Sequence, residues 1–367
     1  MDKLKTSFCN ISPSIENKIG LMLHNKKNHP ISIIKNHIYN YFRTLTEYNF
    51  ITYDDLSPIV STLNNFDLLR IPKDHVARSK SDTYYVNETV VLRTHTSAHQ
   101  NELLEKGISS FLVTGDVYRK DEIDQHHFPV FTQMEGLHLV ENNIDAKEDL
   151  IKVLSGLIKY LFPNCEFRIN DDYFPFTHPS FEIEVNYNGK WIEVLGCGII
   201  HHEILDRHNI KKKGWAFGLG LDRLAMILFE IPDIRMFWST EQKFLNQFAS
   251  GEITKFKMFS KLDTLQRDIS FWINDDEIIK NESDNFTWKN INSFYELVRE
   301  IFNDDVEKVV LYDKFYHDKK KAYSHTFRLY INPIVTIKDP GELTSLVNKN
   351  MILFEKLLAN KLNVKPR

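Results

Sequence analysis

An α+β fold built on antiparallel sheet is predicted for this 367-residue chain by three features. Strand-like apolar runs come in neighbouring pairs joined by short turns, not in a regular strand–helix–strand alternation. A glycine-rich strand at residues 214–220 runs straight into the apolar stretch 221–229. The pattern then breaks around residues 240–256, and a shorter series of strands and helices follows. The expected division is a first domain over residues 1–245, a linker at 246–256 and a second domain over 257–367.

Ile31, Ile34, Ile38, Tyr41, Phe42 and Leu45 recur at helical spacing, so residues 31–45 read as an amphipathic helix. Short apolar runs follow at 50–53, 84–86 and 90–92. Residues 96–106 fit a helix stopped by Gly107. Residues 110–117 and 130–140 read as strands flanking a charged loop at 119–127, and 144–162 as a helix. Strands at 181–187 and 191–195 are joined by Asn188-Gly189, a hairpin turn signal. In the second part, 269–273, 306–312 and 322–331 read as strands, with a helix at 294–302. Asp339-Pro340-Gly341-Glu342 opens a long C-terminal helix, Asp339 suiting the N-cap and Pro340 the first turn. The resulting β-α-β-β-α order is that of a ferredoxin-like sandwich.

Composition narrows the class. Apolar residues make up 42% and charged residues 26%, ordinary for a soluble globular protein. Forty-six Lys and Arg against 50 Asp and Glu give a net charge of −4, which excludes a wholly electrostatic nucleic-acid binder but not a local basic face. Cys9, Cys165 and Cys197 form no CxxC pair, so a reduced, intracellular chain without a Cys-type zinc site is expected. No apolar run is long enough to span a membrane, and no signal peptide or clear transit peptide is legible.

Three clusters carry chemistry. One is Gly115-Asp116-Val117-Tyr118-Arg119-Lys120-Asp121-Glu122, followed by His126-His127 and Phe131-Thr132-Gln133-Met134-Glu135. Another joins residues 173–179, YFPFTHP, to 191–198, WIEVLGCG. The last is Gly218-Leu219-Gly220-Leu221-Asp222-Arg223. An arginine ending a strand, a charged loop, a returning strand with an aromatic, then Gly-x-Gly-x-x-Arg is similar to the layout of class II aminoacyl-tRNA synthetases. The chain resembles the monomeric, mitochondrial-type phenylalanyl-tRNA synthetases, with matching segments from about His29 to the C-terminus. These include His95-Thr96-Ser97-Ala98-His99-Gln100 and the run GWAFGLGLDRLAMILFEIPDIRMFW. The second part resembles that family's anticodon-binding domain, notably at Asp268-Ile269-Ser270-Phe271-Trp272.

The resemblance implies roles. Arg119 would contact the α-phosphate of ATP. Arg223 would stack under adenine and reach the γ-phosphate, with Phe131 over the other face. His127 would lie near the phosphates, and Glu193 would serve ATP binding and Mg²⁺ as the metal carboxylate. His95, Ser97, Gln133 and Glu135 would orient the amino acid's ammonium and carboxylate. Phe174 and Phe176 would pack against its ring, and Cys197 would floor the pocket. Lys319, Lys320, Lys321 and Arg328 would meet tRNA, among further cations (Lys314, His317, His325) and aromatics (Phe315, Tyr316, Tyr323). The partners implied are phenylalanine, ATP and tRNA-Phe, charged at the 2′-hydroxyl. The compartment implied is the mitochondrial matrix, with a plastid-like organelle or the cytoplasm as alternatives. Pro58 is the candidate motif 1 proline, but the glycine usual before it is absent, consistent with a monomer.

Physics supports the assignments independently. Adenylation brings a carboxylate to an α-phosphate, so fixed cations must relieve anion–anion repulsion. Guanidinium groups do this as planar, permanently charged donors. Taken singly the signals are weak: a strand-end arginine is usually solvated, and phenylalanines and a cysteine are usually core. His126-His127 and His201-His202 would each offer at most one inward ligand if they lay on strands, so no transition-metal site is expected. All the phosphate and ring-pocket candidates precede residue 245, so a chain ending near residue 250 is expected to keep adenylation and lose tRNA charging. The alternatives are a class II enzyme for another amino acid and a non-catalytic RNA-binding paralogue.

Overall fold

The computed structural model describes residues 6–258, 264–280, 286–333 and 340–367. Its larger sheet has seven strands. They are β1 (Ile51–Tyr53), β5 (Ser110–Tyr118), β6 (Val130–Leu139), β7 (Phe167–Asp172), β8 (Thr177–Tyr187), β9 (Lys190–Ile200) and β10 (Gly214–Gly220), in the order β1-β5-β6-β10-β9-β8-β7. Every neighbouring pair is antiparallel except β1 with β5, as the paired runs predict. A small three-stranded sheet, β2 (Ile59–Ser61), β3 (Tyr85–Asn87) and β4 (Val90–Leu92), stands beside it.

The helices Pro30–Thr44, Ala146–Leu161 and Leu221–Phe229 pack together against this sheet. The alternation along β6 shows the division of faces. Val130 and Met134 are buried in the core the helices share, while Gln133 and Glu135 turn to the opposite side. Tyr48 and Trp215 both donate to Asp149 of Ala146–Leu161, at 2.6 and 2.7 Å, which fixes that helix over the sheet centre.

The second core is built on a four-stranded sheet in the order β14-β15-β11-β16. Its strands are β11 (Leu265–Ile273), β14 (Val306–His317), β15 (Ala322–Ile331) and β16 (Lys365–Pro366). The helices Ile291–Phe302 and Pro340–Leu362 bury Phe294, Val298, Val347 and Phe354 with Phe271 and Phe327. The connectivity is β-α-β-β-α-β, one strand more than the sequence predicts, because Lys365–Pro366 returns to the edge of β11. A separate hairpin, β12 (Ile278–Lys280) with β13 (Phe286–Trp288), interrupts the first β-to-α connection. The expected cap Asp339 lies outside the described residues.

Two expectations change. Residues 96–106 are not one helix but a 3₁₀ turn, Thr96–His99, leading into Gln100–Glu105. Residues 246–256 do not stand free: Phe248 is buried in the first core, and Ile253 and Phe256 pack on it.

The two cores meet along the loop that follows Arg119. Ile123 of that loop is buried in the second core, and its carbonyl accepts from Val309 N at 2.9 Å. Arg299 donates to the carbonyls of Asp121 and Glu122 at 2.6 and 2.7 Å. Tyr84 donates to Glu296 at 2.8 Å, and Arg235 to the carbonyls of Asp304 and Asn332 at 2.9 and 3.2 Å.

Candidate active site

A cavity of about 650 Å³ opens on the sheet face away from the helices. Nine of the residues expected at the site line it: His95, Ser97, Arg119, Gln133, Glu135, Phe174, Phe176, Glu193 and Cys197. They come from the 3₁₀ turn and its approach, the residue just past β5, the site face of β6, the turn between β7 and β8 and strand β9.

Glu135 is the polar centre of the inner end. It is buried, with Ser97 Oγ donating to one carboxylate oxygen and Gln100 Nε2 to the other, the latter at 2.7 Å. Burial outweighs both bonds and raises its pKa to about 7. A ligand ammonium would restore the carboxylate by supplying the missing positive charge. His95 offers a second acceptor. Its Nε2 lies 3.0 Å from the carbonyl of Asn65, which assigns the proton to Nε2 and leaves Nδ1 with a lone pair. Among the described residues Nδ1 is buried without a partner. Burial, then the neighbouring Arg119 charge, lowers the His95 pKa to about 3, so the ring is neutral.

The apolar end is shaped by backbone as much as by side chains. Phe174 and Phe176 stack at 5.8 Å with their planes 10° apart. A Cβ at Gly196 would meet the Phe174 ring at 2.7 Å, so only glycine leaves room for that ring. Cys197 borders the cavity, but it follows Gly196 on β9 and its side chain is buried in the core the helices share, so, against expectation, it does not floor the ring pocket; desolvation pushes its thiol up to about 12.

At the other end of the cavity, Arg119 Nε donates to Thr94 O at 2.7 Å, and its guanidinium lies 5.4 Å from the Phe131 ring centroid. No carboxylate pairs with Arg119 among the described residues, so its terminal nitrogens are available to an anion. Phe131 and Arg223 stand outside the cavity wall, beside it. Arg223 lies 3.7 Å from Glu193 across the open end, where both side chains are about half exposed (55% and 54%). His127 is turned aside, its Nδ1 2.8 Å from Asp124 Oδ2.

Sequence reasoning missed three groups. Gln100 was within a quoted block but carried no role, and it completes the Glu135 pair. Arg93, a strand-end cation that reads as solvated, is buried, with bonds to Asp116 O at 2.8 Å, Leu56 O at 3.3 Å and His99 Nε2 at 2.9 Å. A Cβ at Gly115 would strike its guanidinium at 1.8 Å, so the glycine of the first cluster makes room for that arginine. Asp222, just before Arg223, is fully buried.

The histidine argument needs correction. His126-His127 lie in the loop, and His201 caps the helix His202–Arg207, so neither pair is on a strand. The His201 and His202 rings therefore stack at 4.4 Å instead of pointing apart, and with Glu203 their ligand atoms fall within 4.8 Å. His201 Nδ1 already accepts from Glu203 N, and Arg70 holds the Glu203 carboxylate at 3.0 and 3.3 Å.

The second sheet presents a different surface. On the face away from its helices, Trp272 meets the edges of Phe315 and His317, at 6.1 and 5.5 Å. Lys320 Nζ lies 4.3 Å from the Trp272 ring, and Arg367 5.7 Å from it. Lys319, Lys320 and Lys321 are exposed on the β14–β15 turn. Arg328 is tied to Asp268 by two bonds, 2.7 and 2.8 Å, and lies over Tyr312. His325 faces the core, where burial lowers its pKa to about 4, so it adds no surface charge.

The family described as tRNA synthetases class II core domain (F) matches residues 15–248. The chain is 47% identical over 370 residues to the chloroplastic/mitochondrial phenylalanine–tRNA ligase of Arabidopsis thaliana, covering 98% of this chain and 82% of that one. It is 42% identical to the mitochondrial enzyme of Mus musculus, covering 87% and 78% of the two chains. For the mitochondrial enzyme of Saccharomyces cerevisiae the identity is 37%, covering 87% and 84%. With a core-domain match over most of the first part and relatives aligned along both parts, the chain belongs to the phenylalanine–tRNA ligase family of class II aminoacyl-tRNA synthetases.

Proposed function

We infer that the chain is a phenylalanine–tRNA ligase that makes phenylalanyl-adenylate from phenylalanine and ATP and passes the phenylalanyl group to the terminal ribose of tRNA-Phe. It acts in mitochondria, the compartment that the names of these relatives print, alone or together with the chloroplast. One observation carries the reading: a single cavity joins Arg119, whose guanidinium has no carboxylate partner among the described residues, through the Glu135 group to a pocket walled by Phe174 and Phe176 over Gly196.

The ammonium docks between Glu135 and the free His95 Nδ1, and Gln133 holds the carboxylate toward the phosphate end. The ring enters beside Phe174 and Phe176, where ring packing adds about 0.5–1.5 kcal/mol beyond burial. A tyrosine hydroxyl there, left without a partner, would cost roughly 1–3 kcal/mol. A carboxylate oxygen then attacks the α-phosphorus in line and pyrophosphate leaves. Arg119 stabilises the added charge on the equatorial oxygens. Arg223 and Phe131 hold adenine from its two faces. Class II synthetases use ATP with a divalent metal. Glu193, a hard oxygen donor at the open end, would hold Mg²⁺ together with the phosphates, where the ion lowers their charge. In the second step a ribose hydroxyl attacks the acyl carbonyl and AMP departs.

We propose residues 1–245 as the catalytic domain, 246–256 as the connection and 257–367 as a ferredoxin-like anticodon-binding domain. Trp272, Phe315 and Arg367 join Lys319, Lys320, Lys321 and Arg328 as its RNA-facing set, aromatic faces for bases and cations for phosphates. Charging of a tRNA-Phe transcript with labelled phenylalanine tests the whole reading. Charging above a no-enzyme control supports it, and its absence in a folded preparation that makes no adenylate removes it.

A further inference from the structure

We propose that Asp222 is a positioning residue for the nucleotide: it holds the two sides of the adenine site, Phe131 and Arg223, at a fixed separation. The inference rests on the reading above, in which those two side chains enclose adenine.

The strand pairing shows why such a tie is needed. The β6–β10 ladder ends at the rung Gln133↔Gly220. Past it the chain turns into the helix Leu221–Phe229, so the next backbone N–H on β6, that of Thr132, has no strand to bond. Asp222, in the first turn of that helix, supplies the acceptor: its Oδ2 takes the Thr132 N–H at 2.6 Å. Thr132 is flanked by Phe131 and Gln133, and Asp222 by Arg223. One hydrogen bond thus joins the backbone that carries Phe131 to the backbone that carries Arg223, at the point where the sheet no longer does.

The surroundings mark this carboxyl as placed there at a cost. Asp222 is 2% exposed, and its Oδ1 has no partner among the described residues. The buried Asp116, which accepts from Thr132 Oγ1 at 3.4 Å and faces His24 Nδ1 at 3.3 Å, sets a like charge close by. The bond does not by itself require a buried acid here, since the strand N–H of Thr132 could have been met by a neutral acceptor. Among the described residues the Arg223 side chain reaches only the half-exposed Glu193, so no other described contact of that side chain fixes its distance from Phe131.

The test is phenylalanine-dependent exchange of pyrophosphate into ATP, with KM for each substrate measured on the full chain and rates divided by active-site titration. Asp222→Ala is expected to raise KM for ATP at least tenfold while KM for phenylalanine stays within twofold. Asp222→Asn keeps a carbonyl acceptor for Thr132 N–H and is expected to recover KM for ATP to within threefold of the parent. If the alanine variant does not fold, Asp222→Glu displaces the acceptor by one methylene and should raise KM for ATP severalfold on its own. An equal change in both KM values, or an unchanged KM for ATP in a folded Asp222→Ala or Asp222→Glu protein, overturns the proposal. A parent enzyme without phenylalanine-dependent exchange instead defeats the underlying functional reading, so the two failures are distinct.

Discussion

Arg299→Ala should loosen the loop that follows Arg119, although residue 299 is in the other part of the chain. Arg299 is buried at the junction and donates to two loop carbonyls, Asp121 O at 2.6 Å and Glu122 O at 2.7 Å, and to Glu296 at 2.8 Å. A hydrogen bond from a charged donor is worth about 1.5–3 kcal/mol. Water can partly replace the lost donors, so the low end applies to each carbonyl bond and the net loss is about 3 kcal/mol. At 1.4 kcal/mol per decade, the open fraction of the junction rises about 100-fold. The reporter is hydrogen exchange, since Val309 N–H is buried against Ile123 O at 2.9 Å. Amide exchange in peptides covering residues 121–125 and 306–310 should accelerate about 100-fold, with β5 and β6 unchanged. Because Arg119 is two residues from Asp121, KM for ATP should rise as well. Unaltered exchange at both peptides, with the substitution confirmed, would refute the reasoning. The same contacts revise the expectation for a chain ending near residue 250: it uncovers Ile123, so adenylation should fall along with charging.

Glu135 makes phenylalanine binding pH-dependent. Its pKa is raised to about 7, so below that value it is a neutral acid that attracts an ammonium poorly. The kcat/KM for phenylalanine should therefore climb with pH up to about 7 and level off above it, and a flat profile from pH 5.5 to 8.5 would contradict the assignment. Cys197→Gly should leave the ring pocket no deeper, because that side chain lies on the helix side of β9, so para-chlorophenylalanine should remain a poor substrate, read as relative kcat/KM in exchange. A gain for the para-chloro substrate would place Cys197 in the ring pocket. Trp272→Ala should remove about 1–3 kcal/mol of base stacking, raising KM for tRNA about 10–100-fold with adenylation intact. Equal losses in both activities would show that Trp272 serves folding instead.

The legible parts of the chain were those in which one local pattern decides the outcome. The apolar run of β5, the alternation in β6 and the Asn188-Gly189 turn marked the central strands, because each pattern reports buried faces or a required backbone shape. The site residues were legible through their order along the chain, and nine of them share one cavity. Unread features depend on distant partners. β7, FRINDD, offers only two apolar positions, Phe167 and Ile169, too few to mark a period, and pairs because β8 lies beside it. Lys365–Pro366 is too short to show a period and is held by Trp272 and Phe271 of β11. Ile123 is a lone apolar residue in a charged loop, and only the second core reveals its purpose. Arg93 went unread because the two carbonyls and the histidine ring that bind it come from three separate segments.

Phenylalanine-dependent exchange of labelled pyrophosphate into ATP, measured side by side on the parent and on Arg119→Ala, bears on the central claim most directly. The account expects exchange with phenylalanine and little with tyrosine. It expects a fall of about 10²–10³ in the variant, the cost of one lost contact to transition-state charge. Exchange within tenfold of the parent in a folded Arg119→Ala protein, or exchange driven equally well by tyrosine, would contradict it.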